Sequence, residues 1–337
     1  MKAADTRRLG RTGLRVSQIG FGGAPLGNLF AALSEADAAS AVAGAFAAGI
    51  RLFDTAPLYG HGLSEHRIGA VLRHYKRDEF VLATKIGRLL RPDPAADGGL
   101  YRGILPFATE FDYSYDGVLR SIEDSLQRLG LARLDIVHIH DIDVWTHKSQ
   151  AAMDERFAEV MRGGYRALLR LRDEKAIGAI GVGVNEWQAC QRFAEAGDFD
   201  CFLLAGRYTL LEQAALDSFL PLCVARNIAI IIGGPFNTGI LATGAVAGAT
   251  YNYHPAPAEV MERVRRIEMV CRAHGVALAS AALQFPLHHP AVASVIPGAR
   301  SAAEVAANLA TFETAVPAAL WAELKQAGLL RADAPTP

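Results

Sequence analysis

The sequence predicts an α/β protein built as a closed (β/α)8 barrel, and three observations carry that reading. Eight short apolar or β-branched runs recur along the chain, each followed by an amphipathic helical stretch. Runs such as Ile228-Ala229-Ile230-Ile231-Ile232 lack the alternation of a half-exposed strand, so parallel strands covered on both faces are expected. No composition break interrupts the repeat, and a barrel of roughly 250 residues with insertions takes in all 337 as one domain, 1–337.

In chain order the expected strands are Val16–Phe21, Ile50–Asp54, Phe80–Lys85, Leu134–His140, Ala179–Val184, Asp200–Leu204, Ile228–Ile232 and Ala293–Ile296. The helices between them are Ser34–Ala48, Ser64–His74, Tyr115–Gly130, Gly164–Lys175, Glu186–Ala196 and Gln213–Arg226. Ser34 and Ser64 read as caps, and Gly49 and Gly130 as stops. Pro257–Ala273 and Pro317–Gly328 are helices beyond the eightfold repeat. Arg88–Ser114, Asp141–Arg162 and Pro235–Ala256 are long loops after strands three, four and seven, so all three rise over the barrel face where such folds place their sites. An open doubly wound sheet competes, but its dinucleotide fingerprint fails twice. Gly20-Phe21-Gly22 has Pro25, and Gly181-Val182-Gly183 has Glu186, where the third glycine belongs.

Composition narrows the partners. With 34 Lys+Arg against 35 Asp+Glu, the net charge of -1 gives no electrostatic reason to expect nucleic acid or an anionic membrane. No uncharged apolar run reaches membrane-spanning length, and no apolar stretch follows the basic residues of Met1–Gly13, so neither an anchor nor a signal peptide is expected. Cys190, Cys201, Cys223 and Cys271 are widely spaced, which speaks against disulfides and zinc and fits a reducing cytoplasm.

A barrel filters candidates by position, and four ionisable residues pass together: Asp54 ends strand two, Tyr59 follows it, Lys85 ends strand three and His140 ends strand four. Singly, each is more often a cap, a rim group or a satisfied core residue. Together they suit an acid/base phenol. An ammonium beside a tyrosine would lower its ordinary value near 10, a carboxylate would hold that ammonium, and a histidine would share a hydrogen bond with the reacting oxygen. Such a set interconverts an alcohol and a carbonyl. His138 reads as structural, and Asp141-Ile142-Asp143 as a cap or arginine partner, so no metal site is expected.

Phe53-Asp54-Thr55-Ala56, Tyr59-Gly60, Ser64-Glu65, Ala83-Thr84-Lys85 and the strand ending at His140 resemble the aldo-keto reductase superfamily. The resemblance extends from Leu9–Ser17, similar to that family's N-terminal β-hairpin, to Ile296-Pro297-Gly298-Ala299. It implies a tetrad of Asp54, Tyr59, Lys85 and His140, with Tyr59 as acid/base and a nicotinamide dinucleotide bound without a Rossmann fold. It implies cofactor contacts from Asn185, which would meet the carboxamide, and from Pro235, Phe236, Asn237, Thr238 and Gly239, which would wrap the pyrophosphate. Gly22, Gly23, Asp54, Leu241, Gly298, Arg300, Glu304 and Asn308 complete the set. Gly233 and Ala205 stand where many members carry a stacking aromatic and a glutamine.

Phosphate-specific members carry a lysine and an arginine at the positions of Gly298 and Glu304. A carboxylate there would repel the 2'-phosphate of NADP, so NAD is the expected cofactor, with NADP as the alternative that Arg300 would permit. Tyr59, His140, Asp141 and Trp145 are expected at the substrate, Asp141 replacing a tryptophan common in the family. A carboxylate suits a polyhydroxylated ligand. Gly22–Asn28 and Arg88–Pro92 are similar to the subgroup of D-threo-aldose (L-fucose type) and L-galactose 1-dehydrogenases, which has a pyridoxal 4-dehydrogenase beside it. The expectation is oxidation of an aldose such as L-fucose at C1 to the lactone. The alternatives are pyridoxal 4-dehydrogenation, general NAD(P)H-dependent carbonyl reduction and, more remotely, a non-catalytic redox-sensing subunit.

Overall fold

The computed structural model describes residues 1–337. Eight parallel strands form one sheet: β1 Phe21–Gly22, β2 Leu52–Asp54, β3 Val81–Ile86, β4 Ile136–His140, β5 Ala179–Val184, β6 Cys201–Ala205, β7 Ala229–Gly233 and β8 Val292–Ile296. Parallel bridges Ile19↔Val295 and Gly22↔Gly298 close the sheet into a barrel. Around it run α1 Glu35–Ala47, α2 Leu63–Leu72, α3 Tyr115–Leu129, α4 Gly164–Asp173, α5 Trp187–Ala196, α6 Phe219–Ala225, α7 Leu278–Gln284 and α8 Ala302–Glu313, with α8 returning against α1. Helices Ala258–Ala273 and Ala318–Gln326 lie outside this ring, as expected.

Each strand buries both faces. Outward side chains such as Leu82, Val137, Ile180 and Ile230 join the helices in one apolar layer. Inward ones alternate with them: Val81, Ala83 and Lys85 on β3, Ile136, His138 and His140 on β4. The lower inward positions are apolar, so Leu52, Val81, Ala83, Ile136, Ala179 and Ile231 pack a dry plug, and charge appears only at the C-terminal ends. Gly181 of β5 makes room for this layering, because a Cβ there would stand 2.8 Å from the His138 ring and 2.3 Å from the Cys201 carbonyl.

The run Val16–Phe21 is not one strand. Arg15–Ser17 pairs antiparallel with Thr6–Arg8 in a hairpin that brings Leu9 and Val16 into the plug, and only Phe21–Gly22 enters the barrel. The break falls at Gly20, where a Cβ would lie 2.7 Å from the Ile296 side chain. Ser34 does cap α1, Ser114 caps α3, which was not expected, and Gly130 ends α3 in the left-handed region. Ser64 does not cap α2. It lies inside that helix, donating to the Gly23 carbonyl at 2.8 Å and pairing with the Thr55 hydroxyl. The stretch 213–226 divides into a short turn, Ala214–Leu216, and α6, because Pro221 is tolerated only in a first turn.

The three long segments have structure of their own. Residues 88–114 contain an antiparallel ribbon, Arg88–Pro92 with Phe107–Phe111, and 141–162 contains helices Val144–His147 and Gln150–Arg162. Residues 235–256 carry a short helix, Ile240–Thr243, and a small ribbon, Thr250–Tyr251 with His254–Pro255.

Candidate active site

The ends of β2, β3 and β4 bring the expected quartet together. Lys85 rises from the apolar plug and spends its three N–H bonds on Asp54 Oδ1 and Oδ2, at 2.9 and 2.7 Å, and on the Thr55 carbonyl at 2.9 Å. The pair is buried, with side-chain exposures of 1% for Lys85 and 4% for Asp54. Burial pushes the Asp54 carboxyl up against the pull of Lys85. Tyr59 sits in the loop after β2, where Gly27 packs so closely that a Cβ would stand 2.4 Å from the Tyr59 backbone.

One expectation is corrected here. The Lys85 ammonium has no proton left for the phenol, and its Nζ lies against the face of the Tyr59 ring, 4.7 Å from the centroid. Burial, followed by the fields of Asp54, Tyr101, Asp141 and Tyr253, pushes the Tyr59 phenol well above its ordinary value. The group is a held proton, an acid in this state, rather than a lowered phenolate.

His140 meets Tyr59 edge to face, with ring centroids 6.0 Å apart. Burial first, then Arg88 and Lys85, depresses the imidazole well below its usual range, so it is neutral. The Tyr113 hydroxyl fixes the end of β4 by donating to the His140 carbonyl at 2.7 Å. Asp141 takes up left-handed backbone (φ 54), which aims its carboxylate back over the barrel. Arg88 Nη1 holds that carboxylate at 2.9 Å, and His140 Nε2 stands 3.5 Å from the same oxygen. His138 lies deeper, fully buried, pushed down to about 3 by burial and then by Lys85, with Cys201 Sγ 3.7 Å from its Nε2.

A cleft of about 450 Å³ leads from Asp54 and Tyr59 along the barrel face to Arg300 and Glu304. Of the expected cofactor residues, Gly22, Gly23, Asp54, Asn185, Pro235, Phe236, Asn237, Thr238, Gly239, Gly298, Arg300 and Glu304 line it. The other two do not. Leu241 is buried in the apolar layer, and Asn308 acts from outside by donating to the Gly298 carbonyl at 3.2 Å. Asn237 lines the cleft with its side chain already engaged, accepting from Thr209 Oγ1 and donating to the Gly206 carbonyl at 3.0 Å. Asp143 caps helix Val144–His147 and accepts the Asn185 N–H at 3.2 Å, positioning that residue. Trp145 is on the rim, 41% exposed, its ring 6.5 Å from that of Tyr253.

Four participants were not anticipated. Tyr101, set between glycines in Gly98–Gly103, comes from the tip of the 88–111 ribbon and lies 6.2 Å from the Tyr59 ring. Residues 100–105 reach two other loops, through Phe30 N–H to the Leu100 carbonyl, Arg102 N–H to Asn28 and Leu105 N–H to Gly60. Arg88 is the partner of Asp141. Tyr253, from the second small ribbon, stands 3.5 Å from Asn185 Nδ2, and Arg207 from the loop after β6 lines the same cleft. The local sequence of Arg207 carries no signal, and that of Arg88, although it opens the Arg88–Pro92 segment, does not point to Asp141.

The cleft suits a dinucleotide. Its walls are largely backbone at Gly22, Gly23, Gly206, Gly233, Gly234, Gly239 and Gly298, and two guanidinium groups face it without carboxylate partners. Among known proteins, the chain is 43% identical to a pyridoxal 4-dehydrogenase of Microbacterium luteolum over 98% of this chain and 99% of that one. It is 40% identical to a D-threo-aldose 1-dehydrogenase of a Pseudomonas species, covering 96% and 97% of the two chains. In fold it matches the holo form of an aldo-keto reductase from Bacillus halodurans, with a TM-score of 0.76 at 22% identity over 98% of this chain and 97% of that one. The family model for the aldo/keto reductases matches residues 18–328, and the chain belongs to that family of NAD(P)-dependent oxidoreductases.

Proposed function

We propose that this protein oxidises a ring hemiacetal to a lactone with NAD, an aldose of the L-fucose (D-threo) type being the substrate. The observation that carries the reading is Asp141, a partly buried carboxylate pinned by Arg88 beside His140, where an aromatic wall would favour a simple aldehyde. Flanked by the Tyr101 and Tyr253 phenols, it offers acceptors and donors to a ring bearing several hydroxyls. Pyridoxal is the second reading, favoured by the 43% relative. Its aldehyde closes onto the neighbouring hydroxymethyl group, so it presents the same hemiacetal carbon, with an aromatic ring that Trp145 and Tyr253 could face.

In this reading Tyr59 Oη takes the hemiacetal hydroxyl proton as the carbon loses hydride and the C=O bond forms. Neutral His140 orients that oxygen without competing for the proton. Asp54 and Lys85 fix the floor beneath the Tyr59 ring. When bound, the oxidised dinucleotide supplies the hydride acceptor and a positive charge near the phenol. Asn185 would hold its carboxamide end and Gly298–Glu304 its adenosine end. Glu304 supports NAD over NADP: its Oε2 accepts the Arg300 N–H at 2.9 Å while its own N–H donates to the Ser301 cap, which fixes a carboxylate at the cleft rim. We also read the chain as a single domain, because Leu320, Trp321 and Leu324 of the last helix share the apolar layer of the barrel. The four cysteines are free and buried, which supports a reducing, cytoplasmic setting.

Steady-state kcat/KM for L-fucose, L-galactose, D-arabinose, pyridoxal and open-chain aldehydes, each with NAD and NADP, tests the reading. Ring hemiacetals should lead, and NAD should exceed NADP by at least about tenfold, the size of one like-charge contact. Faster turnover of open-chain aldehydes, or a clear NADP preference, overturns the corresponding part.

The raised Tyr59 phenol also sets a pH dependence. Oxidation needs the deprotonated oxygen, whose fraction grows up to about tenfold per pH unit below the pKa, so kcat/KM for oxidation should climb from pH 7 to 10. Reduction needs the proton and should not climb. Rates in both directions at constant ionic strength check this, and an oxidation profile already flat at pH 7 contradicts the assignment.

A further inference from the structure

A dinucleotide brings a pyrophosphate with two negative charges into the cleft, yet no lysine lines it. Its only cations are Arg300, at the far end beside Glu304, and Arg207, in the loop that leaves β6. Arg207 has no carboxylate partner. Its Nη1 donates to Asn252 Oδ1 at 2.8 Å and to the Gly206 carbonyl at 3.2 Å, both neutral acceptors, while Nε and Nη2 meet no acceptor in the protein.

The surroundings hold this guanidinium in place. Gly206 has left-handed backbone (φ 67), and its carbonyl also accepts Asn237 Nδ2 at 3.0 Å, which ties the Arg207 loop to the 235–239 segment. On the other side Asn252 and Tyr253 form a turn with φ of 49 and 66, a conformation usually left to glycine, and that turn presents the Asn252 amide to Arg207. Two loops from different strands thus fix an arginine whose charge nothing in the protein neutralises. A planar fork with free N–H groups is suited to phosphate oxygens.

We propose that Arg207 is the cation that grips the pyrophosphate bridge of the dinucleotide. This rests on the reading of the cleft as the cofactor site. Because the pyrophosphate is common to NAD and NADP, Arg207 contributes equally to both, unlike Arg300 and Glu304 at the adenosine end.

Calorimetric titration of the full-length protein with NAD, NADP and ADP-ribose, at low and moderate salt, tests the assignment without turnover. Wild type should bind all three. R207Q and R207M should each raise Kd by about tenfold or more for all three and flatten the salt dependence, with R207K recovering part of the loss. Using two neutral variants keeps the test decisive if one fails to fold. N252G, which removes the amide but suits the turn, should cost clearly less. Kd within about twofold of wild type in the neutral variants overturns the proposal while leaving the cofactor site standing. A loss in N252G equal to that in R207Q also overturns it, since Arg207 would then act only by holding the ribbon. Wild type that binds none of the three overturns the proposal and the cofactor site together.

Discussion

Replacing Tyr59 with phenylalanine is expected to lower kcat for oxidation by about 10³-fold, within the range that a positioned acid/base supplies. The ring is what packs: it faces Lys85 Nζ at 4.7 Å and His140 and Tyr101 at 6.0 and 6.2 Å, and phenylalanine keeps all of those contacts. Only the hydroxyl is lost, and no protein group is hydrogen-bonded to it, so neither the fold nor the Asp54–Lys85 pair should respond. Dissociation constants for NAD should stay within about twofold. Turnover near the wild-type rate would refute the acid/base role. A comparable loss of cofactor affinity would instead make Tyr59 a binding residue.

Replacing Lys85 with methionine should have the second large effect, of a different kind. The Asp54 carboxylate would remain 4% exposed with its two closest donor contacts gone, and the Thr55 carbonyl would lose its donor. Breaking a buried pair from one side costs about 3–5 kcal/mol. For a chain of this size that lowers the melting temperature by roughly 5 °C, measured in scans at one fixed rate. Removing both charges, as in Asp54→Asn with Lys85→Met, should restore most of the lost stability and none of the turnover. If the single variant melts with wild type, the pair is not the buried unit described here. If the double variant regains turnover, the two residues do not serve the chemistry.

That distinction between charge and direction marks the boundary of what was legible beforehand. Period and spacing placed Asp54, Lys85 and His140 at strand ends, because strand ends are a matter of local sequence. They could not say that Lys85 would spend its protons on Asp54 and the Thr55 carbonyl, nor that burial and the neighbouring acids would govern the Tyr59 phenol, which is pushed up where a lowering was expected. Ser64 misled for a similar reason: serine before an apolar run reads as a cap, but the Gly23 carbonyl and the Thr55 hydroxyl, both distant in sequence or on another element, claimed it. The run Val16–Phe21 looked continuous because apolar composition does not reveal where a chain leaves a plug and enters a wall. Arg88 and Arg207 were invisible since each gains its meaning from a partner more than 40 residues away. Long segments without periodicity were readable as insertions but not as ribbons, whose pairing is set by the register between their two arms.

The ribbon carrying Tyr101 is bonded at its tip to neighbouring loops, through Asn28, Phe30 and Gly60. A surface built this way is inherited as a set. Transplanting residues 88–111 alone into a related barrel would deliver a tyrosine without its moorings, whereas moving them with residues 24–33 would carry the docking edge along. Exchange of substrate preference between such barrels, in the laboratory or in descent, should therefore proceed by paired segments rather than by single loops.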